Sequence, residues 1–169
     1  MRIKPALMFS VAALVVGYVT FTVGADVVGH GRAPAPIVFV CRNGVAMSVW
    51  SAAYFNRLAA ARGLRERAVA RAAIPSFREV PLSMVFALAI DGFRLDGYRP
   101  KVVDAGDARG AELIVAIDTE LPPQAVARDA SIEVWQGFPP MREQYFPARA
   151  ALEKRVEALV ERLATRPPP

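Results

Sequence analysis

The amino-acid sequence predicts an α/β fold, a three-layer α/β/α sandwich around a central parallel sheet of about four strands. A continuous apolar run at residues 37–40 and the stretch ELIVAI at 112–117, apolar after its first residue, suit strands buried on both faces. Strand-like and helix-like stretches then alternate along the chain, the order that builds a parallel sheet with helices on both sides. The chain has 169 residues, 54% of them hydrophobic, which suits one domain with an ordinary core.

Residues 1–25 read as a leader; a buried N-terminal core helix is the bland alternative, but a helix apolar on all faces needs a large protein around it. After Arg2 and Lys4 no charge appears through residue 25, and Val23, Gly24 and Ala25 precede Asp26, a small-residue pattern of the kind signal peptidase cuts. The apolar run is longer than the ~7–15 residues of a signal-peptide core and just reaches the ~20 that span a bilayer. A cleaved signal peptide and an uncleaved N-terminal anchor therefore both fit. In either reading the two basic residues stay in the cytoplasm and the domain is delivered across the membrane, in a bacterium to the periplasm. Residues 26–36 (DVVGHGRAPAP) read as a linker. His30 is the only histidine, and with no second histidine or cysteine near it a metal site is unsupported.

The domain is expected over 37–164, before a proline-rich tail at 165–169. Residues 37–40 are its first strand. Residues 48–62 carry Val49, Ala52, Ala53 and Leu58 at helical spacing and stop at Gly63. A second strand is read at 67–72, a helix at 79–90 ending near Gly92, a strand at 112–117 and a short strand at 131–134. A long amphipathic helix at 143–163 places Leu152, Val156, Leu159, Val160 and Leu163 on one face.

Composition excludes some functions. Lys and Arg total 21 against 16 Asp and Glu, and without Arg2 and Lys4 the balance is 19 against 16. The arginines are scattered among acids along helices, as solvated faces are, so no nucleic-acid interface is read. No cofactor is implied.

Chemistry concentrates in residues 38–50, VFVCRNGVAMSVW. Ligands of open parallel sheets sit at the carboxyl ends of the strands, where Cys41 falls. A cysteine facing the free amides of a following helix lies where anions, its own thiolate included, are favoured. Gly44 allows the bend such a loop requires and Asn43 tolerates a left-handed backbone. The bland alternative is that Cys41 is a small buried hydrophobe.

The stretch resembles the opening of the low-molecular-weight protein tyrosine phosphatase family, to which the thioredoxin-coupled arsenate reductases are similar: a strand, a Cys-x5-Arg-Ser/Thr loop and a helix. DGFRLDGYRPKVV (91–103) resembles the family's Gly-x5-His-x-Pro-Lys segment, with Tyr98 where histidine is common. GAELIVAID (110–118) resembles its strand ending in Met-Asp, with Ile117 for Met. VWQGFPP (134–140) before a long helix resembles its Asp-Pro loop. The likeness spans about residues 37–163.

The departures fall on catalytic positions. The resemblance makes Cys41 the candidate nucleophile and Arg42, Asn43, Gly44, Val45, Ala46, Met47 and Ser48 the anion-binding loop. Met47 stands where the family carries arginine, and a thioether cannot bind phosphoryl oxygens bidentately. Ser48 matches the hydroxyl that assists the thiolate. Asn43-Gly44 inverts the family's Gly-Asn. Pro139 stands where the family has its aspartic acid, leaving no proton donor for the leaving group. Glu143, three residues past Pro140, and Arg42, beside the nucleophile, are the candidate substitutes. Arsenate reduction by a disulfide relay needs several cysteines, and there is one.

The expectation is an exported phosphatase-like domain with a degenerate site, binding a phosphorylated or other anionic ligand, or a partner protein, through residues 41–48, with membrane contact through the leader if it is uncleaved. An active cysteine-dependent phosphate-ester hydrolase and a structural module with Cys41 as core are the alternatives.

Overall fold

The computed structural model describes residues 37–75, 77–126 and 130–166. The leader, the linker and the three final prolines lie outside the described residues.

Four parallel strands form one sheet in the order β2-β1-β3-β4: β1 (Ile37–Cys41), β2 (Ala68–Ala72), β3 (Leu113–Ile117) and β4 (Ser131–Trp135). Every residue of β1 and β3 is buried, as their unbroken apolar sequences predict. In β1, Ile37, Phe39 and Cys41 point into one apolar layer and Val38 and Val40 into the other, the two-residue period of a strand. The first layer is thick and holds α1 (Met47–Ala61), α2 (Leu82–Ile90) and α4 (Tyr145–Ala164). The second is thin, built around Ile114, Val103 and Ala108 of the short α3 (Ala105–Gly110). The three-layer α/β/α expectation is met.

Element boundaries moved for local reasons. Helix α1 ends one residue early, and Gly63 at φ 69 follows it in the left-handed conformation that closes helices. Helix α2 begins at Leu82 because Pro81, at ψ 141, takes the cap position and restricts the residue before it away from helix. Helix α4 begins at Tyr145, leaving Glu143 in the preceding turn. Sequence reading missed α3, whose six residues show no apolar period. Its signal was the pair Asp104 and Asp107: the Asp104 side chain accepts from the Gly106 and Asp107 amides, and Asp107 bonds back to the Asp104 N–H, a capping box.

Buried polar groups tie the layers together. The Asn56 side chain of α1 donates to the Ala68 carbonyl at 3.0 Å and accepts from the Ala68 N–H at 2.8 Å, fixing where β2 starts. Asp107 of α3 takes both Nε and Nη2 of Arg71, at 2.8 and 2.7 Å, locking α3 onto β2. Asp91, just past α2, has a side chain only 4% exposed. Trp50 Nε1 and the Tyr145 hydroxyl donate to its Oδ2 at 2.7 and 2.8 Å, and Arg149 Nη1 lies 3.0 Å from Oδ1. One carboxylate thus joins α1, α2 and α4. Burial first, and then this carboxylate, push the Tyr145 hydroxyl well above the ordinary phenolic range.

Replacing Asp91 by alanine strands the buried Trp50 N–H and takes a partner from the half-buried Tyr145 and Arg149, and is expected to lower the unfolding free energy by about 1–3 kcal/mol. Tyr145→Phe removes one of the bonds at a cost of about 1 kcal/mol. Urea unfolding monitored by tryptophan fluorescence measures both.

Candidate functional site

In a sheet of this strand order the chain leaves β1 toward one edge and β3 toward the other, so a crevice opens between their carboxyl ends. Cys41 pairs in register with Ile117 at that place. The alternation of β1 turns its side chain toward α1, and the Cys41 sulfur lies 3.1 Å from the Ser48 hydroxyl oxygen. Both are buried, Cys41 at 4% and Ser48 at 0% exposure. The pairing of thiol and hydroxyl that the resemblance implied is present.

Residues 42–46 form the loop between them, and three neighbours hold its shape. The end of β2 supports the near side: the Ala73 N–H donates to the Cys41 carbonyl at 2.9 Å and the Ile74 N–H to the Arg42 carbonyl at 3.1 Å. Gly44, at φ 63, presses so closely on β2 that an added Cβ would lie 2.9 Å from the Ala72 nitrogen. Only glycine satisfies both the backbone sign and the space. Across the loop the Tyr98 hydroxyl donates to the Gly44 carbonyl at 2.7 Å. Tyr98 is delivered by a segment stitched to β2, where the Ala72 N–H donates to the Lys101 carbonyl at 2.8 Å and the Val103 N–H to the Ala72 carbonyl at 2.9 Å. Burial, and after it the charge of Cys41, push the Tyr98 hydroxyl well above its ordinary range, with Arg71 acting in the opposite sense. It remains a neutral donor.

Among the described residues no acceptor takes the N–H groups of residues 43–48. These amides stand between a buried thiol and the first turn of α1, where the aligned peptide dipoles favour negative charge.

The departures from the resembled pattern have structural counterparts. Met47 is half-buried and packs on the apolar layer that contains Trp50 and Phe93, so the position where the family carries arginine serves packing here. Arg42 is exposed and lines an open cavity of about 510 Å³ with Ile74, Asp118, Thr119, Glu120 and Gln136. Val45 and Ala46 are buried, and Asn43 is half-buried. The loop at 136–140 carries no carboxylate: Pro139 is half-buried, Pro140 exposed, and Glu143 exposed in the turn beyond.

Sequence reading overlooked the part played by Asp118. Its backbone is left-handed, at φ 45, its N–H donates to the Trp135 carbonyl at 2.9 Å, and its two carboxylate oxygens accept from the Gly137 and Phe138 amides at 2.8 and 3.0 Å. It holds the loop that in the resembled pattern carries the acid. An aspartate at a strand end, a residue type that tolerates left-handed backbone and caps nearby amides, was the available signal. Among the described residues no group of His, Cys, Asp and Glu could hold a metal ion.

Solved structures share this architecture. An arsenate reductase from Archaeoglobus fulgidus DSM 4304 matches with a TM-score of 0.60 at 25% identity, covering 74% of this chain and 98% of that one. A low molecular weight protein tyrosine phosphatase from Bacillus subtilis matches at 0.62 and 19% identity, covering 75% and 95%. A thioredoxin-dependent arsenate reductase from Corynebacterium glutamicum matches at 0.58 and 15% identity, over 94% of this chain and 76% of that one. No protein-family model and no curated protein matches the chain. The chain has the fold common to low-molecular-weight tyrosine phosphatases and these arsenate reductases.

Two substitutions test the support of the loop. Tyr98→Phe leaves the Gly44 carbonyl without its partner and is expected to cost about 1–3 kcal/mol. Gly44→Ala combines a left-handed alanine with a backbone clash and should cost at least the ~1–3 kcal/mol of a strained backbone position, read as a lowered midpoint in denaturant. The raised Tyr98 and Tyr145 also set an alkaline limit. The unfolded chain releases phenolic protons near pH 10 while the native state retains them. Stability that is complete below that pH is then lost as pH rises toward the native values, and Tyr98→Phe should make the fall shallower in unfolding curves between about pH 9 and 11.

Proposed function

We propose that this chain, which has the low-molecular-weight tyrosine phosphatase fold, is an exported domain that binds a phosphorylated or other anionic ligand at residues 41–48 and is catalytically impaired. The observation that carries the reading is a loop held by Gly44 and Tyr98 whose amides have no acceptor among the described residues. Such amides, at the start of a fifteen-residue helix, suit an oxyanion by hydrogen bonding and by dipole.

Impairment follows from magnitudes. An arginine that stabilises a transferring phosphoryl group is worth on the order of 10³–10⁵ in rate in other phosphoryl-transfer systems. A positioned general acid is worth roughly 10²–10⁴. Met47 and Pro139 supply neither function, and the effects of residues that act as a unit are not additive, but losing both removes most of a useful rate. Arg42 lies on the cavity side, and Asp118 is committed to two amides.

One observation favours a second reading. The 3.1 Å contact of Cys41 with Ser48 keeps a nucleophile beside a hydroxyl, the arrangement by which a thiolate is assisted. A slow hydrolase of phosphotyrosine or a small phosphate ester would use it.

Export rests on the leader alone. Among the described residues no helix is long and apolar enough to cross a membrane, and the support for membrane delivery is the uncharged run in the sequence of residues 1–25. N-terminal sequencing of the protein recovered from cells distinguishes signal from anchor.

Millimolar phosphate or vanadate is expected to raise the melting temperature of the full-length protein, with the stabilisation approaching about 2.7 kcal/mol when the ligand reaches a hundredfold excess over its Kd. Aryl phosphate hydrolysis should be absent or feeble, and Met47→Arg should increase it. Rapid turnover abolished by Cys41→Ser would overturn the impairment. No thermal response to either anion would leave Cys41 as a core residue.

A further inference from the structure

Helix α2 reads Leu-Ser-Met-Val-Phe-Ala-Leu-Ala-Ile, nine residues without a charge. Met84 and Leu88 are its buried residues and dock it on the layer shared with α1 and α4. Leu82, Phe86 and Ile90 are 73%, 68% and 71% exposed. Their spacing of four aligns them in one row along the side away from the core. An isolated exposed leucine is ordinary, but an aligned row of three large apolar side chains on an uncharged helix marks a contact surface.

We infer that this row rests in the headgroup region of the lipid bilayer that the leader engages. The inference builds on the export reading above, in its form with the leader retained. In that form residues 1–25 hold the chain in the membrane, and the 26–36 linker reaches at most about 40 Å even when fully extended at ~3.6 Å per residue. The domain is therefore confined beside the bilayer, where high effective concentration lets a small contact suffice. An apolar helix face lying in the plane of the membrane buries its side chains among the headgroups and first methylenes. A second copy of the chain fits less well. A stable protein interface needs roughly 800 Å² from each partner, and a helix face about 13 Å long supplies a small part of that.

The test uses the full-length protein with its leader, in vesicles of phosphatidylethanolamine and phosphatidylglycerol, some with brominated acyl chains. The native Trp50 and Trp135 are 1% and 4% exposed, so Phe86→Trp adds the fluorophore that reports on this surface, after subtraction of the parent protein. The expected result is a blue-shifted emission from the added indole that brominated lipid quenches, with the quenching reduced when Leu82→Ser and Ile90→Ser are introduced as well. Flotation of the same samples reports leader anchoring separately. Protein that floats while its added tryptophan emits as an indole in water overturns the inference and leaves the anchor standing. Protein that neither floats nor is quenched overturns both. A blue shift that depends on protein concentration and is insensitive to bromine means that a second copy covers the row, and also overturns it.

Discussion

The shape of the candidate site depends on how closely the backbone at Gly44 approaches β2. That approach leaves no room for a side chain and sets the left-handed turn that swings the loop from the end of β1 to the start of α1. The Tyr98 hydroxyl on the Gly44 carbonyl closes the opposite side. With the loop clamped between β2 and the 98–103 segment, Ser48 comes to Cys41 and the intervening amides are kept from pairing with one another. The loop's backbone is thus fixed by a glycine and a tyrosine, whatever side chains stand at Arg42 and Met47.

This separation accounts for how much was legible in advance. The sheet could be read because β1 and β3 are buried on both faces and must be apolar throughout, and α1 and α4 because their apolar faces recur at helical spacing. Cys41 and Gly44 were visible for a similar reason, one strand end and one turn in a short stretch, whereas Ser48 was marked by the resemblance alone. What could not be read lies in contacts across the chain. Tyr98 was noticed as a departure from a histidine, but its hydrogen bond to a carbonyl far earlier in the sequence has no local signature. Asp118 looked like the last residue of a strand and proved to organise a loop nineteen residues away. Helix α3 is too short to show a period, and its capping pair is the one local signal it carries.

The polar ties and the site have a common economy. Asn56, Asp91, Asp107 and Asp118 each satisfy more than one partner, so few polar side chains, the first three at least partly buried and Asp118 exposed, fix the registers among many elements. Asp91 is set apart by joining three helices on one face of the sheet while its neighbour Ile90 is exposed. The same short segment thus contains a rigid polar anchor and an unsatisfied apolar row, and the anchor holds the row in a fixed orientation relative to the sheet.

Strand order carries a consequence for how the molecule is made. β1 comes first in the folded domain yet sits in the interior of the sheet, and its partner on one side, Leu113–Ile117, lies about half the chain further on. A polypeptide emerging from the ribosome exposes this sticky central strand long before the segment that covers it has been synthesised. Native closure waits for distant residues, a non-local pairing that slows folding and leaves the incomplete chain open to chaperones.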